Sequence, residues 1–267
     1  MRDRKYLDLT GICLIFGTIP AHANSITFTG TGYNDGASLS ASAMFEIIGN
    51  DLIITLSNTA TDDNNGGGWD TSGNTLSGIF FDFAGNPVFT PVSATVAPGS
   101  ELVQFNLCST GQCASSTTNV GGEWYFSKDN ETLLGEFGIA SSGYIEGSNP
   151  NFNGPNLDGP AYTGNGINFG LISLDNTFNP NGGLADDPVI RNSVILALSG
   201  AEGLSVFDIT NVSFQYGTSL SEPNISTDTG EAVPEPESVI LLGSGIAGLL
   251  GWRYYRSKTR YNPASPS

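Results

Sequence analysis

Apolar residues along this chain alternate with polar ones far more often than they recur at helical spacing. Leu39, Ala41, Ala43, Phe45 and Ile47 interleave with Ser40, Ser42, Met44 and Glu46, and after Gly49-Asn50-Asp51 the alternation resumes at Leu52, Ile54 and Leu56. That pattern predicts a hairpin with one buried face. Further short runs of β-branched and aromatic residues occur at Ile26–Tyr33, Leu76–Phe83, Glu101–Leu107, Glu123–Ser127, Ile167–Ser173, Ser193–Ser199 and Ser205–Gly217, separated by Gly, Asn, Asp, Ser and Thr. In the last run Phe207 and Ile209 share one parity and Val212, Phe214 and Tyr216 the other, so a bulge at Thr210-Asn211 would turn all five inward. No apolar stripe of 3.6-residue period runs through the middle of the chain, and the spacing predicts an all-β, antiparallel, jelly-roll-like β-sandwich over residues 24–218.

Both ends break this texture. Arg2, Arg4 and Lys5 precede the apolar LTGICLIFGTIPA, and Ala21-His22-Ala23 follows, the three parts of a signal peptide over residues 1–23. At the other end stand Val233, Pro234, Glu235 and Pro236, then the uncharged VILLGSGIAGLLGW at Val239–Trp252, then Arg253, Arg256, Lys258 and Arg260. Fifteen helical residues, Ser238–Trp252, span roughly 22 Å, short of a hydrocarbon core near 30 Å. The one-sided basic tail and Tyr254-Tyr255 nevertheless suit a single transmembrane helix with its C-terminus in the cytoplasm. Ser244, Ala247, Gly248 and Gly251 give that helix one smooth face. The polar segment 219–232, SLSEPNISTDTGEA, is expected as a flexible linker.

The order Val-Pro-Glu-Pro, short hydrophobic helix and Arg-rich end over residues 233–260 resembles the PEP-CTERM sorting signal of Gram-negative bacteria. The resemblance implies recognition by exosortase, a membrane-embedded transpeptidase-like enzyme that cleaves near Pro234, Glu235 and Pro236. It also implies a precursor held in the inner membrane and a mature protein at the cell surface or in the extracellular matrix of a bacterium that makes exopolysaccharide. Export through the Sec translocon and cleavage by signal peptidase follow from the N-terminal segment.

Composition narrows the chemistry. His22 is the only histidine and lies in the expected signal peptide, which removes Ser-His-Asp and Cys-His catalysis and His-ligated metals from the exported part. Cys108 and Cys113 then remain as an even pair, expected to form a disulfide in an oxidising compartment. Between Asn24 and Ala232 two basic residues, Lys128 and Arg191, face twenty-two acidic ones, a net of −20. Such a surface excludes nucleic acid and suits divalent cations or plain solubility.

Asp62, Asp63, Asn64 and Asp70 beside Gly66-Gly67-Gly68 offer hard oxygen ligands for Ca2+. Their spacing lacks the acidic twelfth position of an EF-hand, and a solvated turn has the same composition; Asp186-Asp187-Pro188 presents the same choice. Trp69, Trp124, Tyr125, Tyr144 and Tyr162 are candidates for a sugar-stacking platform, although Trp124-Tyr125-Phe126 lies in an expected strand. Carboxylates are abundant, and no spacing singles out a glycosidase pair. The expectation is an exported, non-enzymatic surface protein. An exopolysaccharide-binding, lectin-like module, with or without calcium, is the alternative, and a histidine-free glycoside hydrolase the third.

Overall fold

A computed structural model describes residues 25–61, 71–103, 118–128, 134–141, 155–158, 167–174, 184, 187–227 and 231–233. All of them belong to one unit, Ala23–Val233. Among the described residues the fold is all-β, and no helix is long and apolar enough to cross a membrane.

The alternating stretch forms the hairpin its pattern demands. After β1 (Ser25–Asn34), β2 (Ala37–Ile48) and β3 (Asp51–Asn58) pair in the register Phe45↔Ile54 and close through the two-residue turn Gly49-Asn50, where Gly49 has φ +64°. Leu39, Ala41, Ala43, Phe45, Leu52, Ile54 and Leu56 are fully buried. The polar residues between them are only partly covered. The remaining strands are β4 (Leu76–Phe83), β5 (Thr90–Val96), β6 (Glu101–Val103), β7 (Tyr125–Lys128), β8 (Phe137–Ala140), β9 (Leu171–Ile172), β10 (Val189–Arg191), β11 (Ser193–Ser199), β12 (Ile209–Tyr216), β13 (Asn224–Ser226) and β14 (Glu231–Val233).

Two sheets result. One runs β14-β1-β2-β3-β11-β5; the other runs β13-β12-β4-β9-β10-β6, with β8 also on β4 and β7 on β8. They pack face to face through a chain of aromatic rings. Phe28 meets Phe45 at 5.7 Å, Phe45 meets Phe81 of the opposite sheet at 5.3 Å, and Phe81 stacks on Phe137 at 5.4 Å. The fold is therefore an all-β sandwich as expected, antiparallel among the paired strands except for β9 and β10, which are parallel. That parallel pair arises because Pro188 and the turn at Ile167–Gly170 bring both segments into the sheet from the same end, joined by Phe169 N–H donating to the Pro188 carbonyl at 2.6 Å.

The second sheet is covered on both sides. Leu102, Leu171 and Ile190 face the main core, while their neighbours Val103, Ile172 and Val189 join Ile167 and Leu184 in a separate cluster on the outer face. Phe80 likewise turns away from Ile79 and Phe81, toward Ala140. The expected bulge is present: Thr210 pairs with Asp82 but Ser213 with Phe80, and Asn211 takes φ +51°. Ile209, Val212, Phe214 and Tyr216 are buried, as the bulge requires. Phe207 is not; it sits in the 3-10 turn Val206–Asp208, whose Ser205 cap fixes the turn outside the ladder.

Segment 219–232 departs from the expected flexible linker. Asn224–Ser226 pairs with β12 and Glu231–Val233 pairs with β1. The Gln215 amide donates to the carbonyls of Tyr216 and Ser219, and Glu222 accepts from the Thr218 backbone and hydroxyl. Main-chain ladders need no apolar composition, which is why a segment of such polar composition can still supply the paired strands β13 and β14. Ile225 is its apolar anchor, seated against the glycines of β1: a Cβ on Gly30 would stand 3.0 Å from Ile225 Cγ2 and 3.1 Å from Phe214 Cδ2. Gly30→Val should therefore cost about 1–3 kcal/mol by overpacking. In a urea titration the loss should shrink when Ile225→Ala is also present; equal losses in both backgrounds would show that no clash occurs there.

Candidate functional site: the sorting junction

The residues that carry the clearest functional signal begin where the sandwich ends. β14 adds to the outer edge of β1 with Ser25 opposite Val233, Ile26 opposite Ala232 and Thr27 opposite Glu231. Val233 is thus the last described residue of the sheet, and Pro234 follows it directly. A proline has no N–H to give to a ladder and restricts the residue before it to extended backbone, so the residue before Pro234 suits a strand, as Val233 is. Ser25, on the opposing strand, stands two residues after the expected signal-peptide cut at Ala23. The two ends of the domain meet on one rung of one ladder.

Of the other candidates, many fall outside the described residues: Met1–Ala23, the acidic set Asp62, Asp63, Asn64 and Asp70, the pair Cys108 and Cys113, the aromatics Trp69, Tyr144 and Tyr162, Asp186, and Pro234–Arg260 with its basic tail. Trp124 is within them and cannot stack on a sugar. It is fully buried in the main core, and its indole Nε1 has no hydrogen-bond partner among the described residues. Phe126 is buried as well and stacks on Phe137 at 6.2 Å. Alternation along β7 leaves Tyr125 on the other side, half-buried. Burial, then the nearby Glu123 carboxylate, raises the Tyr125 hydroxyl pKa above its usual value, against a hydrogen bond with Asn156 that lowers it. The Glu123 side chain itself is buried beside the 3-10 turn Gly121–Glu123.

Asp187 is also buried. Among the described residues no group of three or more His, Cys, Asp or Glu could hold a metal ion.

Both basic residues between Asn24 and Ala232 are engaged locally. Lys128 Nζ donates to Asn86 Oδ1 and, at 2.9 Å, to the Pro87 carbonyl, while lying 5.2 Å from the centre of the Phe137 ring. Arg191 pairs with Glu101 opposite it on β6. Neither cation stands apart as an anion-binding group among the described residues.

Residues 232–257 match the family model of the PEP-CTERM protein-sorting motif. The match begins at Ala232, inside β14, so the motif and the sandwich share Ala232 and Val233. No curated protein and no solved structure matches the chain. Short alternation cannot reveal a three-residue strand such as β14, so no local pattern marks the motif as starting within the folded sheet.

Proposed function

We propose that this chain is the precursor of an exported, non-enzymatic cell-surface or extracellular-matrix protein, an acidic β-sandwich sorted and processed by exosortase. The observation that carries it is the sorting motif at 232–257, contiguous with the last strand of the sandwich. Residues 1–23 direct the chain to the Sec translocon and are removed by signal peptidase. Val239–Trp252 then holds the precursor in the inner membrane, with Arg253, Arg256, Lys258 and Arg260 on the cytoplasmic side. Exosortase acts at the outer face of that membrane, near Pro234–Glu237, and frees the domain. A net of −20 between Asn24 and Ala232 keeps the released protein soluble and off anionic surfaces.

The test is an intact-mass measurement on protein extracted from the surface of the native host. A polypeptide that begins near Asn24, ends near Pro234–Glu237 and lacks Val239–Ser267 is expected. A C-terminus at Ser267 would mean a permanent anchor and would overturn the proposal.

A further inference from the structure

Six large apolar side chains are exposed on the described surface, and they are not scattered evenly. Ile48, at 62 % exposure, ends β2 at the hairpin turn; Val88, at 77 %, immediately precedes Phe89 and β5; Phe207 lies in the turn before β12; and Leu134 lies just before β8. The register places all four at one end of the sandwich. Ser199 pairs with both Asp51 and Thr90, so the ends of β2, β11 and the start of β5 lie together. Gly200 N–H donates to the Asn50 carbonyl, and a Cβ on Gly200 would meet the Val88 carbonyl. Ile209 pairs with Phe83, the Ala84 N–H donates to the Asp208 carbonyl, and Glu136 N–H donates to Asp82, which brings Phe207 and Leu134 to the same end.

This is also the end where the chain leaves the sheet. Ser25 pairs with Glu46 on one side and Val233 on the other. β2 continues two residues past that rung, so Ile48 and the Gly49-Asn50 turn project about 7 Å beyond the exit points. Only Pro234–Ser238 separate Val233 from the apolar run, and five residues reach at most roughly 18 Å when fully extended.

We infer that this apolar tip seats on the surface of a zwitterionic phospholipid bilayer while the precursor is anchored. The inference rests on the proposed membrane-held precursor and adds which face of the domain meets the lipid. A short tether raises the effective concentration of the tip at the bilayer, so a few apolar side chains suffice where they would bind weakly if free. Asp51, Glu136, Glu202 and Asp208 border the tip and outnumber Lys128, which is held on Asn86 and Pro87 beside Val88, so the balance disfavours anionic headgroups. Loss of the tether on processing then releases the tip along with the domain, which fits a protein that leaves the membrane.

The experiment uses the full-length chain reconstituted into phosphatidylcholine vesicles, with a benzophenone-bearing amino acid replacing Phe207, Ile48 or, as control, Tyr33. Tyr33 is 79 % exposed but sits at the opposite end, beside the β1–β2 turn. Photolabelling of acyl chains from positions 207 and 48 is expected to exceed that from 33 by at least about fivefold. Equal labelling, or crosslinks from 207 to a second copy of the chain, would overturn the inference. A chain that fails to float with the vesicles defeats the anchored-precursor proposal itself; one that floats but labels no lipid from 207 defeats only the tip.

Discussion

Phe45→Asp is expected to abolish or nearly abolish folding of the β-sandwich domain. Phe45 has no exposed surface and links Phe28 to Phe81 across the two sheets, with ring centroids 5.7 and 5.3 Å away. Removing a buried phenylalanine costs about 3–5 kcal/mol through lost burial and the cavity left behind. An unpaired carboxylate in the same place adds several kcal/mol or forces its own protonation. Whole domains have only about 5–15 kcal/mol of net stability, so little remains.

Ser42→Asp tests the same hairpin from its other face. Ser42 lies on β2 between Thr29 and Ser57 and is only partly covered, so a carboxylate there stays hydrated and should cost less than about 1 kcal/mol. Urea titration of the two variants checks the pair. Similar midpoints would mean that the two faces of β2 are equivalent, which the burial alternation forbids.

Replacing Pro234, Glu235 and Pro236 together by alanine should block processing almost completely and leave a full-length precursor in the inner membrane. The hydrophobic run and basic tail are untouched in this variant, so insertion should persist while recognition is lost. The folded domain imposes a further expectation. β14 ends at Val233, and alanine at 234 restores an N–H that could extend its pairing along the chain, drawing the junction further into the edge of the sheet. Immunoblotting of membrane and surface fractions separates the outcomes. Normal release of the triple variant would show that the prolines and glutamate are not what the processing enzyme reads.

The junction also bears on how such a domain is released. On the proposed route of processing, the enzyme would meet its substrate directly beside a folded edge, because the motif begins within β14 and Val233 is paired with Ser25 on β1. A sandwich whose ends are stapled to each other in this way has its edge strand covered at one end of β1, which lowers the hazard of strand addition by neighbouring copies.

Alternation with period two is a property of neighbouring residues, and wherever one face of a strand is buried and the other wet it is visible in the sequence. That is why the β2–β3 hairpin, its register, its buried set and the Thr210-Asn211 bulge are legible in the order of residues alone, as are the acidity and the sorting motif, which are local by nature. Where burial is two-sided the signal vanishes. β4, LSGIFFDF, is covered on both faces, so its composition marks a strand but says nothing of which side faces which core. Only tertiary structure decided that Trp124 belongs to the interior, because its alternating neighbours are split between core and surface by the sheet that β7 joins. Only tertiary structure turned the polar stretch after Tyr216 into β13 and β14. Strands of two or three residues such as β9, β13 and β14 have no period of their own; they exist because a distant edge offers backbone donors and acceptors, and that partner is specified by the packing of the whole sandwich.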